Sequence, residues 1–342
     1  MSNPKGLDLA ALRTWLEANA PGTIDGELSA SLITGGKSNL TYTVTDGTRE
    51  YVVRRPPMGH VLATAHDMSR EYHAMAALAP TNVPVPLMIA LCEDPEVIGA
   101  PFYVMEKVTG TPYNRARDLE TLGTDRTRLI TERMVDTLAA LHSVDYASVG
   151  LAEFGKPEGY LDRQIRRWKK QLDSSRSRDL PGMDELIARL EATLPAESGA
   201  TIVHGDYRLD NLLVDDNDQV TAVLDWEMST LGDPLTDVAI LLAYQQLAVA
   251  APPGSAAGAM VTDAPQAEGY LDRDAIVARY AAATGRDVSQ LGFHLGLAFF
   301  KLAVILEGIH YRHVHGQTVG AGFDGIGEMV HPLIAAGLAS TR

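Results

Sequence analysis

The chain has 342 residues, the length of about two domains. It carries 29 basic and 44 acidic side chains, a formal net charge of −15, and such an acidic chain repels nucleic acid and anionic membranes. Apolar residues make up 46% of the chain and charged residues 21%, which excludes an intrinsically disordered protein. We expect a globular protein that binds neither nucleic acid nor membranes.

The amino-terminal segment predicts an amphipathic helix over residues 7–20. Asp8 and Glu17 interrupt its apolar residues, which excludes a secretory signal. A later apolar segment, residues 295–309, contains Lys301 and is shorter than the roughly 20 residues of a membrane span. We therefore expect neither segment to enter a membrane.

The chain has a single cysteine, Cys92. An internal disulfide and a multi-cysteine metal site are therefore excluded. This usage is typical of a reducing compartment, and it predicts a cytoplasmic protein.

The first hundred residues favour strands after the opening helix. We predict strands over residues 27–33, 40–45, 51–54, 88–91 and 102–106, and a helix over residues 65–78. Asp46-Gly47 indicates a hairpin turn between the second and third strands. The pattern therefore predicts an antiparallel sheet with a helix beside it.

Helical periodicity dominates after about residue 113. Helices are predicted over residues 126–144 and 184–193, and a short β region interrupts them at residues 201–203, 211–214 and 220–224. Residues 248–269 are rich in Ala, Gly and Pro. A segment of that length and composition is either a substrate lid or a disordered loop.

Polar side chains with a chemical role flank the strands of this β region. Asp206 and Asn211 lie on one loop, and Asp225 follows the next strand pair, so a short hairpin brings the three together. Phosphoryl transfer needs a carboxylate beside the attacking hydroxyl and hard oxygen ligands for Mg²⁺. A lone Asp-rich loop is more often a turn, but the order H-G-D-x-x-x-x-N followed by V-L-D is a far rarer coincidence. We predict that Asp206 orients a hydroxyl and that Asn211 and Asp225 hold Mg²⁺.

The same order resembles the kinase-like phosphotransferases of the aminoglycoside phosphotransferase superfamily. In that family H-G-D-x-x-x-x-N replaces the H-R-D-x-x-x-x-N loop of protein kinases, and an Asp after the next strand replaces the D-F-G Asp. The resemblance implies an α+β, bilobal, protein-kinase-like fold. Its small β-rich N-lobe spans residues 1–106, its hinge residues 107–112, and its larger, mostly helical C-lobe residues 113–342.

The resemblance also implies ATP as the phosphate donor and identifies nucleotide-binding candidates in the amino-terminal third. A basic residue on the third strand, Arg54, is expected to contact the phosphates and to pair with Glu71 on the helix. Protein kinases carry Lys where this chain has Arg54. The remaining candidates are the phosphate loop and the backbone of the hinge that reads adenine: Gly35, Gly36, Lys37, Ser38, Asn39, Met105, Glu106 and Val108.

Segments along nearly the whole chain resemble the phosphotransferase domain that is fused to acyl-CoA dehydrogenases in animals. Among them are residues 35–42, 52–57 and 224–235. This resemblance implies that the acceptor is the hydroxyl of a hydroxyacyl-CoA. The candidate acceptor contacts are Glu227, Arg163, Arg166 and Arg167. The three arginines share one face if their segment is helical and would suit CoA phosphates, but a solvated basic face has the same pattern.

Two other functions stay open at this point. The alternative acceptors are an aminoglycoside and an amino alcohol such as choline, because an acidic protein attracts cations. A nucleotide-binding pseudokinase that acts as a scaffold is the alternative of another class, and the Arg54 departure favours it. The short segment between Asp225 and Asp233 leaves no room for an activation loop, so we expect a small-molecule acceptor and not a protein.

Overall fold

The chain divides into a sheet-containing unit and a mostly helical unit in the computed structural model, which describes residues 3–33, 39–58, 66–250, 262–317 and 325–341. The first unit comprises Met1–Gly110 and Thr221–Ser229, and the second comprises Thr111–Val220 and Thr230–Arg342. The sequence analysis places residues 221–229 in the second domain, whereas the structure groups them with the first unit. Asp225 and Glu227 therefore belong to the same unit as Arg54.

The first unit is built on a five-stranded antiparallel sheet with strand order β1-β2-β3-β5-β4. The strands begin and end within two residues of the predicted bounds. The elements of this unit are α1 (Leu9–Asn19), β1 (Ser29–Leu32), β2 (Leu40–Thr45), β3 (Glu50–Arg55), α2 (Met68–Leu78), β4 (Met88–Cys92) and β5 (Phe102–Glu106).

Helix α1 closes one face of the sheet. Its N-cap Asp8 accepts hydrogen bonds from the amides of Ala10 and Ala11, so the helix begins where the sequence supplies a capping carboxylate. Leu12 and Leu16 from α1 join buried residues of the sheet in one apolar core. Helix α2 likewise begins after an N-cap aspartate. That cap fixes the first turn of α2, which carries Glu71.

The second unit contains helices and short strands. Its elements are α3 (Ala116–Glu120), α4 (Thr124–His142), α5 (Tyr160–Ser175), α6 (Met183–Ala192), β6 (Thr201–Val203), β7 (Leu212–Val214), β8 (Val220–Val223, of which only Val220 falls in this unit), β9 (Thr230–Gly232), α7 (Leu235–Ala250), α8 (Arg273–Thr284), α9 (Leu291–Val314) and α10 (Val330–Ser340). Strands β6 and β9 pair antiparallel. The sequence analysis missed β9, because three residues ending in glycine carry little strand signal on their own.

Helix α9 is the longest helix among the described residues, at 24 residues. By length and composition it is long enough to cross a membrane, so the length argument made from the sequence is wrong. However, 72% of its most apolar window is buried inside the molecule, and it packs against α5, α7 and α10. A helix that is apolar on most faces is typical of a protein core, and that position accounts for its composition.

Candidate active site

The loop after β6 is anchored from behind by helix α7. The Asp237 carboxylate accepts hydrogen bonds from the backbone amides of His204 (2.6 Å) and Gly205 (2.7 Å) and contacts Nε2 of His142 at 3.2 Å. Gly205 has φ of +84°, a conformation that favours glycine. Burial alone would raise the pKa of Asp237, but His142 and the His204 amide outweigh it and hold the pKa below its usual value. Asp237 thus fixes the backbone that carries Asp206, in keeping with a structural role.

Asp206 is held by Asn211 from the same loop. Nδ2 of Asn211 donates to the backbone oxygen of Asp206 at 2.8 Å and to its Oδ2 at 3.2 Å. Because the amide nitrogen is turned toward Asp206, the amide oxygen of Asn211 is the atom that can serve as a ligand. The structure therefore brings these two predicted site residues together.

Two further side chains surround Asp206 that the sequence analysis did not single out. The Tyr244 hydroxyl hydrogen-bonds to Asp206, and the Arg208 guanidinium lies 4.7 Å from the Tyr244 ring centroid. Arg208 also lies 3.0 Å from Asp210 and 3.7 Å from Oδ2 of Asp206. Arg208 lies within the loop motif, so its proximity to Asp206 could have been predicted from the sequence. Tyr244 comes from α7 and carries no local signal.

In the first unit, Arg54 bridges two carboxylates. Its Nε lies 3.1 Å from Oε2 of Glu71, and its terminal nitrogen donates to Oδ1 of Asp225 at 2.5 Å. Asp225 follows β8 with φ of +66°, in the left-handed region, which turns the chain at this residue. Tyr103, opposite Arg54 on β5, donates its hydroxyl to Oε2 of Glu71 at 2.9 Å. Arg54 and Glu71 thus form the ion pair that the resemblance implies.

Burial and charge act against each other in this group. Burial raises the pKa of Glu71 to about 7, and the positive charge of Arg54 and the Tyr103 hydrogen bond only partly offset it. Burial would lower the pKa of Arg54, but the surrounding acidic groups raise it above its ordinary value. Arg54 therefore stays charged, whereas Glu71 titrates near neutrality.

Asn39 is buried and its side chain is used inside the protein. Its Nδ2 donates to Glu71 at 3.2 Å and to Glu227 at 3.3 Å, and its Oδ1 lies 2.8 Å from Nδ1 of His66. The side chain thus orients acids around Arg54, including Glu227. The nucleotide contact expected of Asn39 and the acceptor contact expected of Glu227 stay predictions. The other loop candidates, Gly35, Gly36, Lys37 and Ser38, lie outside the described residues.

Two of the adenine-binding candidates, Met105 and Glu106, are the last residues of β5, and Val108 follows the strand. Met105 is buried, Glu106 is exposed and Val108 is partly buried. The Glu106 amide donates to the Leu87 carbonyl at 2.9 Å. That amide is thus already bonded within the protein, and adenine recognition by the backbone of Met105, Glu106 and Val108 stays a prediction.

The three arginines predicted to form a basic face on α5 have different partners. The Arg163 guanidinium donates to the carbonyls of Lys156 and Glu158, just before the helix. Arg166 is exposed and pairs with Asp162, and the Arg167 guanidinium lies 5.6 Å from the Trp168 ring centroid. Local carbonyls therefore engage the Arg163 guanidinium, and phosphate binding by this face stays a prediction. For Arg166 the acidic neighbour fits a solvated face.

The side chains predicted to hold Mg²⁺ fit that ion chemically. No group of three or more His, Cys, Asp or Glu side chains with metal-site geometry occurs among the described residues. Mg²⁺ is usually bound through one or two carboxylates, with waters and nucleotide phosphates completing its shell, so such a cluster is not required. The Asn211 amide oxygen and the Asp225 carboxylate are hard oxygen donors of the right type.

Residues 29–284 match the model of the phosphotransferase enzyme family, known by the abbreviation APH, and the chain therefore belongs to that family. This confirms the resemblance inferred from the motifs. The kinase-like fold of solved relatives agrees with the α+β fold class predicted from the sequence.

Particular relatives narrow the comparison. The chain is 37% identical over 300 residues to mouse (Mus musculus) acyl-CoA dehydrogenase family member 10, an alignment covering 84% of this chain and 27% of the relative. The chain thus spans about a quarter of that protein's length. A solved structure from Ralstonia eutropha JMP134, provisionally assigned as an aminoglycoside phosphotransferase, is 36% identical with a TM-score of 0.84 and 98% of each chain covered.

A more distant solved structure shares the fold alone. It is a thermostable mutant of the aminoglycoside phosphotransferase APH(4)-Ia in a ternary complex with AMP-PNP and hygromycin B, at 14% identity and a TM-score of 0.62. The match covers 96% of this chain and 98% of that one.

Proposed function

We propose that this protein is an ATP- and Mg²⁺-dependent phosphotransferase that acts on the hydroxyl of a small molecule. The observation that carries the proposal is the Asp206 carboxylate, held at 3.2 Å by Asn211 on a loop with the residue order of the family. The AMP-PNP bound by the distant fold relative supports ATP as the donor. We place this activity in the cytoplasm, in line with the single buried cysteine.

Asp206 aligns the acceptor hydroxyl and receives its proton. The acceptor oxygen bonds to the γ-phosphorus as the bond to the bridging oxygen breaks, and ADP leaves. Arg54, oriented by Glu71, binds phosphate oxygens with a forked guanidinium. Asn211 and Asp225 would supply oxygen ligands to Mg²⁺, and the bound ion would neutralise phosphate charge.

We further propose a hydroxyacyl-CoA thioester as the acceptor. The support is the name of the mouse relative, an acyl-CoA dehydrogenase family member, whose aligned quarter corresponds to this chain. Aminoglycosides and amino alcohols such as choline are the competing acceptors. Incubation with ATP, Mg²⁺ and each acceptor, followed by mass spectrometry for a phosphate adduct, distinguishes them.

The test of the proposed chemistry is Asp206→Asn. We expect kcat for acceptor-dependent ADP formation to fall by about 10²- to 10⁴-fold, the usual contribution of a positioned proton acceptor, with AMP-PNP affinity unchanged. The matched control is Asp216→Asn, an exposed aspartate in the turn after β7, which should keep wild-type turnover. Turnover by Asp206→Asn close to the control would overturn the assignment. ATP binding by the wild type with no turnover of any acceptor would favour the pseudokinase alternative.

A further inference from the structure

A cavity in the second unit adjoins the backbone of the loop that carries Asp206. Side chains from α5, α7 and α9 form its walls, and Gly205 forms part of its floor. Gln164 and Trp168 come from α5, and Lys301 comes from α9. Gly205 immediately precedes Asp206, so one wall of the cavity is the residue next to the proposed proton acceptor. None of the catalytic or nucleotide-binding roles assigned above uses it.

Lys301 is an unusual residue for its position. It lies among apolar residues in the middle of α9, far from the other cation of that helix, Arg312 in the last turn, and its side chain is partly buried. Its Nζ donates to the Gly205 carbonyl at 2.7 Å and lies 5.6 Å from the Trp168 ring centroid. A neutral donor would hold the carbonyl without the cost of burying a charge. An ammonium has three hydrogens, so Lys301 can donate to a bound ligand as well as to Gly205.

The charges around the cavity disfavour a cationic ligand. Lys301 lines the cavity and lies 5.6 Å from the Trp168 ring, the aromatic face that a quaternary ammonium would otherwise use, and Arg167, outside the lining, lies 5.6 Å from the same ring. Asp237 also lines the cavity, but its carboxylate already accepts from the His204 and Gly205 amides and contacts His142. Of the two charged side chains that line the cavity, Lys301 is thus the one with hydrogens to donate to a ligand, whereas the Asp237 carboxylate is engaged by the loop and His142.

We propose that this cavity is the acceptor subsite and that Lys301 selects acceptors with a carbonyl or carboxylate oxygen near the reacting hydroxyl. This inference rests on the proposed function and specifies which acceptors that function uses. Lys301 donates to the acceptor oxygen while holding Gly205, which keeps the reacting hydroxyl beside Asp206. Acceptors with an ammonium near the hydroxyl meet a like charge and are rejected.

The test compares Lys301→Met and Lys301→Arg in the full chain. Methionine keeps the length and apolar contacts of the side chain without its charge, and arginine keeps the charge. The matched control is Lys169→Met on α5, because Lys169 is an exposed lysine that pairs with Glu191 at 3.7 Å and does not line the cavity. The probes are 3-hydroxybutyrate, its neutral methyl ester, and choline, which has a similar size and the opposite charge. Binding is measured by ligand-observed NMR without nucleotide, and kcat and KM with ATP and Mg²⁺.

We expect Lys301→Met to weaken 3-hydroxybutyrate binding about tenfold or more, the loss typical of a hydrogen bond to a charged group, and to raise KM for both oxygen-bearing probes. Lys301→Arg should retain most of the affinity, and Lys169→Met all of it. Choline should bind wild type more weakly than 3-hydroxybutyrate, and Lys301→Met should narrow that gap. Acceptor-independent ATP hydrolysis is measured in parallel, because it reports on the loop itself and needs no acceptor.

Unchanged 3-hydroxybutyrate affinity in Lys301→Met would overturn the proposal, whatever the activity. Equal losses for every probe, together with loss of acceptor-independent hydrolysis, would also overturn it, because Lys301 would then only support Gly205. A third outcome separates the two proposals. If Lys301→Met binds 3-hydroxybutyrate more weakly than wild type but wild type transfers no phosphate, the proposed function is refuted and the proposed binding site is retained.

Discussion

Arg54 forms ion pairs with two carboxylates at once because its guanidinium group is forked. One nitrogen faces Glu71 and another faces Asp225, which are held by different parts of the first unit. A lysine ammonium is a single point charge on a flexible stem and cannot reproduce this geometry. The arginine is therefore matched to its surroundings, and its presence does not by itself indicate an inactive kinase.

At the same scale, Glu71 predicts a pH dependence. Its raised pKa of about 7 means that acidification through neutrality neutralises the carboxylate and removes a charged partner of Arg54. We expect the affinity for AMP-PNP with Mg²⁺ to fall as pH decreases through about 7. Glu71→Gln should weaken binding about tenfold above that pH, about 1.4 kcal/mol, and should lose this part of the pH dependence.

Calorimetric titration of AMP-PNP across that pH range measures both effects. Glu17→Gln, a substitution of an exposed residue on α1, serves as the control. The phosphates of AMP-PNP titrate in the same way with every variant, so their contribution cancels when the variants are compared. Identical pH slopes in wild type and Glu71→Gln would contradict the role of Glu71.

Among the elements, α7 and the loop after β6 are joined by one carboxylate. Asp237 lies in the first turn of α7, where the helix dipole favours negative charge, and it accepts two loop amides. Buried amides without acceptors cost free energy, so the position of the loop depends on this residue. The contact links a helix to a loop more than thirty positions away in the sequence.

Asp237→Asn tests this link. Asparagine has only one side-chain oxygen, so its NH₂ group faces one of the two backbone N–H groups and leaves that donor without an acceptor. We therefore expect a loss of about 3 kcal/mol in the free energy of unfolding at neutral pH. The folded pKa of Asp237 lies below its unfolded value of 3.8, so its stabilisation is present above that value and is lost as pH falls through the folded pKa. The difference between wild type and variant should therefore shrink below pH 3.8.

Urea unfolding of wild type, Asp237→Asn and the control Asp216→Asn at a series of pH values measures the effect. A variant as stable as the control at neutral pH would show that the loop is held by other contacts.

The elements themselves were predictable to different degrees. Strands β2 and β5 begin and end at the predicted residues, because runs of β-branched and aromatic residues are flanked there by turn-forming residues. By contrast, β9 exists only through its pairing with β6, and the length of α9 follows from burial against neighbouring helices. Local propensity therefore determines the first sheet, whereas packing determines much of the second unit.

At the scale of the whole molecule, charge is distributed unevenly. The chain has a net charge of −15, yet Arg54 lies buried among acids and Lys301 faces a cavity. Net charge describes solubility and long-range attraction, whereas recognition depends on the few charges that face a site. The overall acidity is therefore a poor guide to the acceptor.

Nucleotide binding should stabilise the whole chain. At a nucleotide concentration of a hundred times Kd, ligand binding adds about 2.7 kcal/mol to the free energy of unfolding. We expect AMP-PNP with Mg²⁺ to raise the thermal unfolding midpoint by a few degrees. Asp225→Asn should lose the Mg²⁺-dependent part of this shift, because a neutral amide is a weaker ligand for a hard cation.

Differential scanning calorimetry with and without Mg²⁺ measures the shift relative to each variant's own ligand-free midpoint. This reference removes the effect of losing the Arg54 ion pair in Asp225→Asn. A Mg²⁺-dependent shift equal to that of Asp216→Asn would exclude Asp225 as a metal ligand.

Motif order and local propensity in the sequence established the phosphotransferase family, the first sheet and the candidates Asp206, Asn211, Asp225, Arg54 and Glu71. These features depend on neighbouring residues, and neighbours are visible in a sequence. Only the tertiary structure decided that Asn39 turns inward to Glu71 and Glu227, that the Glu106 amide is already bonded, and that Lys301 meets Gly205 across 96 positions. Such contacts arise when helices and loops pack, and packing joins side chains whose separation along the chain carries no signal.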